Sequence, residues 1–208
     1  MVSQAVLVLF RFYVTSDVTH ANGGLLASMT KKTGDIRDIW SRFSTGVAVI
    51  TTLEDMSSDL WTASEVTGES DSPTSVHGMT ANALCSVSID PPLLLLSVGV
   101  GRRSRKLIEA KNRFGVNFLN TAQLDIAVNF SSSDPDLNRP EAVAYWYTEQ
   151  GTPMIANSLA YIDCKVVNHF EVVDHVIFIA EAEHYELGEG APLVYYERGY
   201  TRLNNGDD

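Results

Sequence analysis

The stretch His77–Ser104, HGMTANALCSVSIDPPLLLLSVGVGRRS, decides how the rest of the chain reads. From Thr80 to Ile89 the residues alternate. Thr80, Asn82, Ser86 and Ser88 fall on one face, interrupted only by Leu84, and Ala81, Ala83, Cys85, Val87 and Ile89 fall on the other. A two-residue period predicts a strand with one packed face and one polar, working face. Asp90-Pro91-Pro92 then breaks the ladder, because proline has no N–H to donate and restricts the residue before it. Leu93 to Val98 is a continuous apolar run, the pattern of a buried strand. It leads through Gly99-Val100-Gly101 to Arg102-Arg103-Ser104, where a helix can begin. Free N–H groups at a helix start, with arginines and a hydroxyl, are what a phosphate needs.

Outward from that stretch the pattern is mostly strand. Asp35 can cap a short helix whose Ile36, Ile39, Trp40 and Phe43 share a face and which Gly46 stops; Val47–Leu53 reads as the first barrel strand. Residues 54–76 form an acidic Ser/Thr-rich insertion in which Trp61 is the one residue suited to a lid. Ser104–Ala110 reads as a short helix and Phe114–Leu119 as a strand. Thr121–Phe130 reads as a second helix with Leu124, Ala127 and Val128 on one side, followed by a loop over 131–140. Tyr145, Trp146 and Tyr147 cluster beside that loop, as packing or as a cover for a ligand. Met154–Leu187 supplies two long strands joined near Val173-Asp174-His175. Pro192–Tyr196 is a last strand, and Gly199-Tyr200 turns into the tail. Strands that outnumber helices, joined by short turns, point to a closed antiparallel barrel.

Composition narrows the function. The 208 residues suit one domain, with 45% hydrophobic and 20% charged residues, as in ordinary globular chains. A net charge of −11 with no basic run argues against nucleic acid and against an anionic membrane surface. Cys85 and Cys164 have no metal-type spacing, sit in predicted strands and read as buried reduced thiols, which suits a reducing cytoplasm. The apolar Ala5–Val14 is too short to span a bilayer and is interrupted by Arg11. No Rossmann glycine pattern, zinc motif or hydrolase elbow is present, and the five histidines show no ligand spacing.

The stretch resembles the core motif of the flavin reductase-like family, the FMN-binding split barrels that serve two-component monooxygenases. The resemblance continues through FSTGVAVITT (43–52), FGVNFL (114–119), GTPMIANSLAYIDCKV (151–166), DHVIFIAEAE (174–183) and PLVYYERGYTRL (192–203). It implies a mainly β fold with flanking helices, an antiparallel split β-barrel of the FMN-binding type over residues 35–208; residues 1–34 lie outside the resemblance and read as an N-terminal extension, expected to be flexible, as an added strand, or as a start assigned too far upstream. It implies NAD(P)H-dependent reduction of free FMN or FAD, with NADH or NADPH as co-substrate. It also implies a homodimer and a separate oxygenase that receives the reduced flavin. Hydride transfer between two stacked rings requires no protein nucleophile and no metal, so the lack of a catalytic constellation is compatible with this chemistry. The rival expectation is a non-catalytic flavin- or haem-binding split-barrel protein.

The site residues follow position by position. Thr80, Asn82 and Ser86 can hydrogen-bond a flavin from the polar face, and Ala81 and Ala83 permit close backbone approach. In the family, the positions matching Asn82–Ser86 line the flavin and those matching Arg103-Ser104 hold its phosphate. His175 stands in the family's Gly-Asp-His, where this chain has Val173 for glycine; the family histidine contacts the nicotinamide side. Tyr200 matches an aromatic that closes the pocket. Read without the resemblance, each of these is an ordinary strand, surface or structural residue.

Overall fold

The computed structural model describes residues 34–54, 76–132 and 140–203. The expected extension, Trp61, most of the 54–76 insertion and most of the 131–140 loop lie outside them. By internal contacts the chain divides into residues 1–35 and 36–208. The second unit is built from helix α1 (Ile36–Trp40), strands β1 (Thr45–Gly46), β2 (Ala48–Leu53), β3 (Val76–Ala81), β4 (Leu84–Ile89) and β5 (Pro92–Gly99), then helix α2 (Arg103–Lys111) and β6 (Arg113–Phe118). A 3-10 turn, Thr121–Gln123, opens helix α3 (Leu124–Ser131). Strands β7 (Tyr145–Tyr147), β8 (Pro153–Ile155), β9 (Ala160–Val172), β10 (His175–Leu187), β11 (Leu193–Tyr196) and β12 (Gly199–Arg202) follow.

Seven strands form one antiparallel sheet in the order β3-β2-β6-β9-β10-β5-β4. Its two edge strands are consecutive in the chain, joined only by Asn82-Ala83, so the sheet curls until its edges meet. The Ser97 N–H donates to Ala83 O at 3.0 Å, which carries the β4–β5 pairing one residue into that link. Inside lies one core, with Ala48 and Ile50 of β2, Leu94, Leu96 and Val98 of β5, Phe114 and Val116 of β6, and Val176, Phe178 and Ala180 of β10. Val47 and Val49 point the other way, into a second core with Ala127 and Phe130 of α3, Ile155 and Leu193. Strand β2 is thus buried on both faces, and its run of small and β-branched residues suits that place. The fold is the antiparallel split barrel with flanking helices.

Four expectations are corrected. The alternating run at 80–89 is two strands, because the chain passes from one sheet edge to the other at Asn82-Ala83. A register shift between Ser86 and Ser88 then changes which face the residues beyond it take. As a result Leu84 packs on the core, while Cys85, Val87 and Ile89 are exposed; only Cys164 is a buried thiol. On α3 the buried residues are Ala127 and Phe130, and Leu124 and Val128 are exposed, because β3 packs closely on the opposite side. A Cβ at Gly78 would lie 2.4 Å from the Phe130 ring, so β3 and α3 approach as they do only with glycine there. The helix after Asp35 ends at Trp40, well before Gly46, and none of its residues is buried. Finally, Gly199–Arg202 is a strand rather than a tail, pairing with β11.

Candidate flavin and nicotinamide site

The polar end of the barrel is where three chain breaks coincide: the β3–β4 link, the end of β5, and the β9–β10 hairpin. In β10, His175 lies opposite Gly99 of β5, which brings the hairpin beside the approach to α2. The Val100 N–H donates to Asp174 O at 2.9 Å and fixes this junction. A cavity of about 750 Å³ opens among these elements. Its walls include Thr80, Ala81, Asn82 and Ala83, the end of β5 at Ser97–Gly99, Arg102–Ser104, and His175. Seven of the nine residues singled out in the sequence therefore border one space. Ser86 does not; it is exposed further along β4, opposite Leu94. Tyr200 lines an adjoining hollow of about 220 Å³ that shares Thr80, Ala81 and Asn82 with the main cavity. There its ring stacks edge-on against Tyr195 at 5.6 Å.

The polar groups of the cavity are partly engaged by the protein. Thr80 Oγ1 donates to Ala127 O at 2.7 Å, which ties β3 to α3. Asn82 Nδ2 donates to Thr45 Oγ1 at 3.1 Å. His175 Nδ1 lies 2.8 Å from Asp174 Oδ1, and that hydrogen bond holds the exposed Asp174 carboxyl below the usual carboxylate range. With Nδ1 held by Asp174, Nε2 is the ring nitrogen that a ligand in the cavity can meet. Val173, at the turn of this hairpin, has φ 55°, the left-handed region that its glycine counterpart in the family adopts freely.

At the other end stands the start of α2. Arg102 occupies the N-cap position with extended backbone and no side-chain cap hydrogen bond, so its own side chain does not cap the first N–H groups of the helix. Asn112, in the left-handed conformation with its N–H on Ile108 O at 2.8 Å, closes the far end. Ser104 is 3% exposed, and its Oγ lies 2.8 Å from His77 Nε2. Glu54 Oε1 lies 3.6 Å from His77 Nδ1 and 3.2 Å from Arg103 Nη1. Burial is the larger influence on His77 and depresses its imidazole below the ordinary value, against the opposing pull of Glu54. His77 and Glu54 escaped the sequence reading. His77 adjoins Gly78 in the quoted stretch, but its contact with Ser104 spans 27 positions and nothing local signals it.

These residues suit a flavin. The volume falls within the roughly 300–1,000 Å³ of small-molecule sites. The wall at Ala81, Ala83 and Gly99 is small, and a Cβ at Gly101 would meet nothing within 4 Å, so the backbone there borders open space. Among the described residues, cationic groups and helix N–H groups stand together at the α2 end, as a ligand with a phosphate at one end requires. Among the described residues, no three His, Cys, Asp or Glu side chains gather to hold a metal, and no helix is long and apolar enough to cross a membrane.

Comparison with known proteins places this geometry in a class. The family described as "Flavin reductase like domain" matches residues 40–204, and the chain belongs to that family. It is 29% identical to an NADH-dependent flavin reductase of a Rhodococcus species, over 81% of this chain and 85% of that one. It is 32% identical to HsaB, the reductase subunit of a flavin-dependent monooxygenase from Mycobacterium tuberculosis, over 80% of each. The solved structure of flavin reductase PheA2 in its native state superposes with a TM-score of 0.67 at 32% identity, over 82% of this chain and 97% of that one.

Proposed function

We propose that this protein is an NAD(P)H-dependent flavin reductase that reduces free FMN or FAD and releases it to a separate flavin-dependent oxygenase. The single observation that carries this reading is the shared cavity, in which the Thr80–Ala83 link, the Arg103-Ser104 helix start and His175 face one space. When bound, the flavin supplies the redox chemistry, taking a hydride from the nicotinamide. The protein's part is positional. Ala81 and Ala83 let a planar ring approach the backbone, and Asn82 offers polar atoms at its edge. Arg103, Ser104 and the α2 N–H groups bind the phosphate. His175, steadied by Asp174, borders the side where the nicotinamide enters, and Tyr200 limits the space beyond Thr80. The protein acts as a cytoplasmic homodimer, in keeping with the exposure of Ile36, Ile39, Trp40 and Phe43, which one copy alone leaves uncovered.

The test is direct. Mixed with NADH or NADPH and with FMN or FAD, the protein should cause a flavin-dependent loss of the reduced nicotinamide absorbance. Flavin binding without that loss would favour the non-catalytic flavin binder. Light scattering should give twice the chain's 22.8 kDa.

A further inference from the structure

The α2 end of the cavity already contains an anion. Glu54 follows directly on β2, and His77 comes from the adjoining end of β3, where it pairs with Thr52. A single carboxylate oxygen of Glu54 faces both the Arg103 guanidinium and the His77 ring, at 3.2 and 3.6 Å. The Glu54 side chain is 22% exposed and that of Arg103 64%, so the carboxylate is the more fixed partner. The other ring nitrogen of His77 is engaged with Ser104. A flavin phosphate calls on these same donors. It can take Arg103 only by displacing the carboxylate or by lying beside it, and two anions close together in a partly buried site repel.

We infer that Glu54 determines how tightly phosphorylated flavins are held: its carboxylate competes with the flavin phosphate for Arg103 and thereby promotes release of the flavin. The inference rests on the reading of Arg103 and Ser104 as the phosphate end. It explains why a protein whose product leaves as a free flavin keeps an acid against its phosphate-binding arginine. A tight phosphate site would retain the flavin that the oxygenase needs. Riboflavin has no phosphate and does not meet this competition, so the effect of Glu54 is confined to phosphorylated flavins.

The experiment compares the dissociation constants of FMN and riboflavin, and the dissociation rate of FMN, for the wild-type chain and for Glu54→Gln, Glu54→Asp and Arg103→Ala. Removing the charge in Glu54→Gln should tighten FMN on the order of tenfold and slow its dissociation, while riboflavin changes by less than about twofold. Glu54→Asp keeps the charge and should stay close to wild type in its preference between the two flavins. If Glu54→Gln lacks a cooperative melting transition, Glu54→Ala is read by the same criterion. An unchanged or lowered preference for FMN in the charge-removed variant overturns the inference. Arg103→Ala separates the two levels of the argument. If it weakens FMN selectively while Glu54→Gln has no effect, the phosphate end stands and the competition alone is wrong. If it weakens FMN and riboflavin equally, the phosphate lies elsewhere and both readings fall.

Discussion

His175 borders the cavity at the one place where the β9–β10 hairpin, the end of β5 and the approach to α2 converge, and what it does there is separable from what holds the barrel together. Its side chain is 48% exposed and hydrogen-bonds its own neighbour, the exposed Asp174, so removing it leaves that partner in solvent. His175→Ala should therefore leave the melting temperature nearly unchanged and the flavin dissociation constant within a few-fold of wild type, while kcat/KM for NADH falls on the order of tenfold or more, the cost of a misplaced reacting pair. An unaltered NADH rate in a well-folded variant would remove His175 from the site. His77 makes the opposite kind of contribution. Its side chain is 15% exposed, and the charged groups facing it are Glu54 from the end of β2 and Arg103 from α2. The fold holds its imidazole below the ordinary 6.5. The unfolded chain thus binds a proton at His77 that the native state resists, so this part of the stability is complete above about pH 6.5 and is lost as pH falls through the folded value. Urea midpoints measured from pH 8 to 5 should fall less steeply in His77→Gln than in wild type; parallel curves would show that His77 does not titrate in this range.

At the scale of elements, two features fix strands that the cavity depends on. The β9–β10 hairpin turns through Val173, which is 92% exposed with φ 55°, a conformation that crowds a β-branched side chain. Val173→Gly should relieve about 1–2 kcal/mol of strain and return part of it as unfolded-chain entropy, for a net gain of about 1 kcal/mol and a rise in melting temperature of a few degrees. A fall in melting temperature would show that the Val173 side chain contributes more than its backbone costs. Deeper in the barrel, Asp163 on β9 is fully buried and accepts from Arg113 Nη1 at 2.7 Å, Thr148 Oγ1 at 2.7 Å and Thr152 Oγ1 at 2.8 Å. It ties β6 and β9 to the segment between β7 and β8. Asp163→Ala strands a guanidinium and two hydroxyls, and should cost about 3–5 kcal/mol in denaturant unfolding; a loss below about 1 kcal/mol would mean that water or Glu183 takes over. The long strands were legible in the sequence because burial makes them continuous, as in Leu93–Val98. The break at Asn82-Ala83 was not, since alternation runs across it and only the curling of the sheet separates the two halves. The surroundings of Asp163 were equally hidden, because its partners lie 11, 15 and 50 positions away.

For the whole molecule, the question is where the folding unit begins. Family-level motifs made the barrel and most of the cavity readable, since Thr80–Ala83, Arg103-Ser104 and His175 sit at strand and helix ends that the motifs number. They say nothing about residues 1–34. The two cores run from Val47 to Leu193, and the family match starts at residue 40. Among the described residues, none before Val47 contributes to either core, so the apolar burial described in both is supplied from Val47 onward. Deleting residues 1–33 should leave cooperative unfolding, the midpoint and flavin affinity nearly unchanged. The deletion stops short of Ile36–Phe43, so a change in oligomeric state is also not expected if that face carries the homodimer. Paired denaturation curves, a flavin titration and light scattering on the two chains test all three. A broadened transition or a lost midpoint would place part of the first 33 residues in the core. An intact transition with weakened flavin would instead bring that segment to the cavity.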